Sequence, residues 1–251
     1  MTNALKTIQN NYEASALKQL SISWIDKYLS WNDDDELCAY FKDVFNEEPS
    51  LFEINGNAKR VVEDLLVSYY HNEAFIKASL INDLAKNKKA VSFFELPINN
   101  SRIDLCSINS DSAAYEIKTK YDTTKRLEKQ LKDYLTVFEY VYVVCSDEKT
   151  SSVLKTIPDC VGVYEYNDEL KKPKFVLVKE ATHSSYINCK SQLHILRKSE
   201  IPNGIEKYSK ENINELFKKS LKARYRNKWE KFCKCYKNIR LLDYQYAFKN
   251  F

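Results

Sequence analysis

A glutamate and a lysine one residue apart, Glu116 and Lys118, stand inside the run 113-AAYEIKT-119, whose other members suit a β-strand. Side chains alternate across a strand, so these two share one face while Tyr115, Ile117 and Thr119 take the other. In 102-RIDLCSI-108 the same alternation sends Ile103 and Leu105 one way and Arg102, Asp104 and Cys106 the other. If 107-SINSDSA-113 turns a hairpin, the two strands are neighbours. A hard cation then fits between the carboxylates of Asp104 and Glu116. Lys118 beside them need not be a mere counter-ion, although three charged residues across a hairpin also suit a surface salt-bridge cluster.

The elements that must hold these residues follow from periodicity. Helical spacing runs from Ala58 to Tyr69 and again through 72-NEAFIKASLINDLAKNKK-89, with Asn72 as N-cap and Glu73 in the first turn. VSFFELPI, RIDLCSI and AAYEIKT then form a strand meander. DTTKRLEKQLKDYLTVF returns to helix, capped by Asp122 or Thr123, and 139-EYVYVVCS-146 reads as a strand buried on both faces. A helix between two strands implies parallel pairing. A short helix near 149–156 and the strands VGVYEY and KFVLVKE follow. The expected class is α/β: a mixed central sheet flanked by helices. Residues 1–56 form a helical cap, 57–190 the core and 191–251 a basic helical region packed on it. In the cap, Asp33 to Glu36 suit the acidic first turn of a helix better than a calcium loop, whose alternating ligands and glycine they lack.

The longer strings carry a resemblance. Asp104, then E-x-K on the next strand, a helix and a buried strand resemble the PD-(D/E)XK, restriction-endonuclease-like nuclease superfamily. Within it, 102-RIDLCSIN-109 and 115-YEIKTKYDTTKRLEKQLKDY-134 resemble a bacterial family known by an sce-type locus label, over roughly residues 70–170. The resemblance implies Mg²⁺ or Mn²⁺ held by Asp104, Glu116 and the main-chain carbonyl of Ile117, with Glu73 as an outer or second-ion ligand. It gives Lys118 the attacking water and the charge growing on the phosphate. Gln130 is expected to face the site and orient the lysine or the phosphate. Glu95 competes with Glu73 for its place, and His71 reads as a packed or surface residue.

Charge is unevenly spread. Residues 191–251 carry 15 Lys and Arg against 6 Asp and Glu, a net +9, which leaves −5 on residues 1–190. A Lys-rich solvated helix explains such a tail, but so does a phosphate backbone: Lys222, Arg224, Arg226 and Lys228 are the expected contacts there, joined by Lys120, Lys125 and Arg126 beside the motif. Tyr225, Trp229, Phe232 and Tyr236 between them suit packing more than base stacking. Seven scattered cysteines fit reduced thiols, and the opening residues lack a signal-peptide pattern, so a cytoplasmic protein without membrane contact is expected. The leading expectation is a metal-dependent nuclease acting on nucleic acid, DNA by superfamily habit. Its rivals are a catalytically silent nucleic-acid-binding or regulatory protein on the same fold, and a nuclease effector working with a protein partner. A homodimer or a protein partner would use the helical regions.

Overall fold

Two runs rich in apolar and β-branched residues flank the dipeptide Asn99-Asn100, the chemistry of a tight hairpin. The computed structural model describes residues 6, 8–10, 12–25, 36, 58–167 and 172–251. In it the runs are β1 (Val91–Ile98) and β2 (Ser101–Ile108), antiparallel with Ile98 opposite Ser101. Asn99 lies at φ 51°, a left-handed conformation that asparagine tolerates. Asn99 Nδ2 and Ser101 Oγ both donate to the Asp133 carboxylate, which ties the turn to a helix.

The second hairpin is tighter than 107-SINSDSA-113 suggests, because Ile108 and Ser112 already pair. Glu139 accepts from both the amide and the hydroxyl of Ser112, and so fixes the start of β3 (Ser112–Lys118). The crossover helix α4 (Leu127–Leu135) leads to β4 (Tyr140–Ser146), parallel to β3, and α5 (Asp147–Leu154) leads to β5 (Gly162–Tyr166), parallel to β4. At Gly162 a Cβ would lie 2.5 Å from the Tyr142 ring, so only glycine fits. β6 (Phe175–Lys179) closes the sheet antiparallel to β5. The order in space, β1-β2-β3-β4-β5-β6, is the order in the chain. The mixed α/β sheet is thus as its sequence implies.

α4 starts later than its expected caps. Arg126 takes the N-cap position without a side-chain bond, while Asp122 accepts from the Thr119 amide and hydroxyl at 2.7 and 2.8 Å and closes a turn instead. Helices pack on both sheet faces. α1 (Ala14–Ile25) lies on α2 (Ala58–Tyr69), whose Val61, Val62, Leu65 and Leu66 are buried. α3 (Glu73–Leu84) opens with Asn72 accepting from the Phe75 amide, as expected of its cap, and ends five residues before Lys89. α6 (Cys189–Ile195) precedes the long α7 (Lys210–Cys235), which lies on β1 and buries Phe217, Leu221, Trp229 and Phe232. Tyr225 stacks on Phe93 at 4.0 Å, and Phe248 of α8 (Tyr244–Asn250) meets Phe94 edge-on. These aromatics are core.

Of the N-terminal region, the helix expected over WNDDDELCAYFKDVF, with Asp33, Asp34, Asp35 and Cys38, lies outside the described residues apart from Glu36. Among the described residues no helix is long and apolar enough to cross a membrane.

Candidate active site

Continuing the β2–β3 register past Leu105 and Tyr115 would set Asp104 opposite Glu116, yet the pairing stops there. In place of a ladder bond, Asp104 Oδ2 accepts from the Ile117 amide at 2.7 Å. On the other side of β2, Phe94 pairs with Leu105 and Leu96 with Ile103, so Glu95 alone drops out, at φ 58°. A left-handed glutamate costs about 1 kcal/mol or more, and such strain gathers where the surrounding structure over-determines the geometry. Both ladders therefore break at Asp104.

Around that break gather side chains from five elements. Glu116 is almost wholly buried. Its Oε1 accepts from Lys118 Nζ at 2.8 Å and from Gln130 Nε2 at 2.5 Å, and its Oε2 from the Tyr134 hydroxyl at 2.8 Å. Lys118 Nζ also donates to Gln130 Oε1 at 3.2 Å. Gln130 and Tyr134 are four residues apart on α4, hence on one helical face. From α3, the buried Lys77 Nζ lies 2.5 Å from Glu95, 2.6 Å from Glu73 and 2.9 Å from Asp104. Arg102 holds the other Glu95 oxygen at 3.0 Å.

The charges are not balanced in favour of the acids. Burial, then the charge of Glu116, push the Asp104 carboxyl up to about 7 against the pull of Lys77. Burial likewise raises Glu116, against Lys118. Lys77 is itself raised: burial works against its charge, but Asp104 and Glu73 outweigh it. Carboxylate oxygens of Glu73, Glu95 and Asp104 lie within 4.8 Å of one another. Hard oxygen donors short of positive charge are what Mg²⁺ or Mn²⁺ takes, so the donor set fits such an ion. Lys77 already stands among three of these carboxylates.

Glu73, Asp104, Glu116, Lys118 and Gln130 thus gather in one place. Ile117 joins them through its amide. Glu95, ranked behind Glu73 from sequence, sits as close to Lys77 as Glu73 does. Lys77, Tyr134 and Lys129 escaped sequence reasoning, although Lys77 lies four residues after Glu73 and Tyr134 four after Gln130; Arg102 was placed on the Asp104 face but given no role. A groove of about 440 Å³ runs from Gln130 past Arg126, Lys129 and Arg102, and a second, of about 330 Å³, joins Arg102 and Glu95 to Tyr225 and Lys228. Lys125 is exposed beside Arg126, and Lys120 lies over the Tyr121 ring. Of the tail residues, Arg224 is committed to Glu200 and the Ile195 carbonyl, Lys222 reaches the Asn109 carbonyl, and Lys228 the Lys249 carbonyl. Arg226 is exposed.

A family model described as Bacteriophage P4 protein cII matches residues 67–247, a span that contains all six strands and every residue of the cluster. Among curated proteins, protein cII of Enterobacteria phage P4 is 32% identical over 156 residues, 60% of this chain and 59% of that protein. The chain thus aligns with less than two thirds of the relative's length. Among solved structures, SfsA of Pyrococcus furiosus in complex with Ca²⁺ shares 13% identity over 41% of this chain and 59% of its own, at a TM-score of 0.26, too slight a likeness to bear on the fold. The family reached is a phage one, where the motif string resembled an sce-type bacterial family.

Proposed function

The chain belongs to the Bacteriophage P4 protein cII family, and for this member of it we propose metal-dependent hydrolysis of phosphodiester bonds in nucleic acid, with DNA the expected substrate. One observation carries the reading: Lys118 and Gln130 hold Glu116 from one side while Asp104 faces it across a deliberate break in the sheet. A salt-bridge cluster on a hairpin surface needs neither the burial nor the break. Asp104 and Glu116 would hold Mg²⁺ or Mn²⁺, with the Ile117 carbonyl and Glu73 or Glu95 beside them. The ion supplies a Lewis acid for the phosphate and a lowered pKa for water.

The chain's own groups do the rest. Of the three N–H donors of Lys118, Glu116 and Gln130 take two. Among the described residues the third is available to a phosphate oxygen or the attacking water, where an ammonium favours the transition state over the ground state. Tyr134 keeps Glu116 from turning, and Arg102, Arg126 and Lys129 offer cations to the flanking backbone. Incubation of the purified protein with plasmid and with single-stranded DNA, in Mg²⁺, in Mn²⁺ and in chelator, tests the reading. Ion-dependent nicking that disappears in Glu116→Gln is expected.

A second reading, a nucleic-acid-binding or regulatory protein without cleavage, has its own observation. The Lys77 ammonium lies among Glu73, Glu95 and Asp104 and neutralises part of the acid cluster without any ion. The relatives, phage proteins whose description names no reaction, agree with it at least as well. DNA bound and left whole in both ions would decide for it.

A further inference from the structure

Lys77 keeps only 4% of its side chain exposed, although an ammonium ordinarily reaches for water. Left alone in the interior, such a charge is strongly destabilising. Three carboxylates hold it instead, one from each of three elements. Its Nζ lies 2.5 Å from Glu95 Oε1 on β1, 2.6 Å from Glu73 Oε1 on α3 and 2.9 Å from Asp104 Oδ1 on β2. An ammonium has three N–H groups, so three acceptors complete it. The same three residues bring carboxylate oxygens within 4.8 Å of one another, close enough to share one divalent ion. Two of them are also tied at their second oxygen, Glu95 to Arg102 and Asp104 to the Ile117 amide. Glu95 gives up its strand pairing and takes a left-handed backbone at the position from which it meets Lys77.

We infer that Lys77 is a built-in cation: its ammonium stands where a divalent ion would otherwise sit among Glu73, Glu95 and Asp104, and keeps one from binding there. The nitrogen takes the centre of the oxygens, and its charge repels a second cation brought to the same point. Phe75, Ile76, Ala78 and Leu80, its neighbours along α3, are buried too, so the stem is packed and the ammonium has a fixed place. The inference deepens the proposed function and rests on it in one respect: it leaves Asp104 and Glu116 as the acids for a single catalytic ion. Glu73 and Glu95 then serve Lys77, not the ion. Lys77 is a positioning residue, which fixes Asp104 and supplies a permanent positive charge beside that ion.

Counting ions by calorimetry with Mn²⁺ tests this, on the full chain and on Lys77→Met, which keeps a long side chain and removes the charge. The variant should bind one Mn²⁺ more than the parent. At saturating Mn²⁺ its melting temperature should also rise from the value in chelator by about 5 °C more than the parent's does. A variant too weak to fold in chelator should fold when Mn²⁺ is added, as circular dichroism would show. Glu73→Gln, at a half-exposed position, should remove the extra ion from Lys77→Met and leave the count of the otherwise native chain unchanged. Because the inference is read from the difference between two chains, the parent's own count tests the proposed function separately. One ion agrees with both; none, with one gained in Lys77→Met, upholds the place of Lys77 while metal-dependent hydrolysis falls. Equal counts, equal responses of the melting temperature, folding in neither condition, an extra ion that survives Glu73→Gln, or two ions on the parent would each overturn the inference.

Discussion

β3 ends in a buried glutamate–lysine cluster on either side, and the two behave in opposite ways. At its start, Glu139 accepts from the Ser112 amide at 2.6 Å, from Asn214 at 2.6 Å and from Lys218 at 3.0 Å. Burial alone would raise its carboxyl, but the Ser112 bond, Lys218 and Asn214 outweigh it and hold the group below its usual range. At the other end, Asp104 and Glu116 are both pushed up. The residue types are the same; the neutral donors are not. Glu139 shares the Lys218 ammonium with the exposed Glu215 but has the Ser112 amide and hydroxyl and Asn214 besides, whereas Glu73, Glu95, Asp104 and Glu116 share Lys77, Lys118 and the largely exposed Arg102. A satisfied cluster stabilises a fold. One whose carboxyls burial pushes up is what the proposed function would hand to an ion.

The contrast breaks most sharply at the two lysines. Lys118→Ala should lower cleavage by on the order of 10²-fold or more while calorimetry still detects Mn²⁺, because both carboxylates remain and the ion loses a like-charged neighbour. Cleavage at the parent rate would show that the cluster resembles an active site without its chemistry. Lys218→Met should do the reverse. It strands Glu139 in the interior and should cost about 3 kcal/mol in chemical denaturation, with activity per folded molecule unchanged. Equal stability losses in both variants would erase the distinction.

Acidity sharpens it further. Between the ordinary aspartate value of 3.8 and about 7, the folded chain holds a proton on Asp104 that the unfolded chain releases. That term therefore weakens the fold as pH rises through this window. Glu139, whose value is lowered, contributes in the opposite sense, its stabilisation being present above the unfolded value and lost as pH falls through the folded one. In chelator, the parent protein should lose about 5 °C of melting temperature more than Asp104→Asn does between about pH 5 and about pH 8. Parallel curves for the two proteins would place the strain elsewhere. The smallest effect belongs to the tail. Alanine at Arg226 and Lys228 should flatten the salt dependence of DNA binding by roughly one unit of slope per lost phosphate contact, whereas Arg224→Ala should act on stability through Glu200. Unchanged slopes would make α7 a solvated face.

Alternation by two put Asp104, Glu116 and Lys118 on one face of the sheet, and helical spacing put Glu73 and Gln130 in the helices that face it. Those are local regularities, readable from any sequence. The break in both ladders is not local: it depends on Asp104 accepting the Ile117 amide and on Glu95 adopting a left-handed backbone, and neither has a signature in residue type. Lys77 shows the same limit. A lysine in an amphipathic helix normally lies in solvent, and only the three acids on its own helix, β1 and β2 make its burial tolerable. The tail shows the limit in another way: its charge is visible in the sequence, but the Glu200 carboxylate and the carbonyls that Arg224, Lys222 and Lys228 meet are not.

The match between spatial order and chain order has a consequence for synthesis. Each strand, as it leaves the ribosome, finds its neighbour already made and adds to one growing edge, so the sheet forms by accretion with short loop closures. The cluster from Glu73 to Tyr134 is translated long before the helix that covers β1. Phe93 and Phe94 stay bare until Tyr225, Phe232 and Phe248 have emerged. A chain stalled near residue 205 would carry nearly every group of the site on a sheet with one greasy face open, a nascent species that a chaperone must shield and that would precipitate if released early.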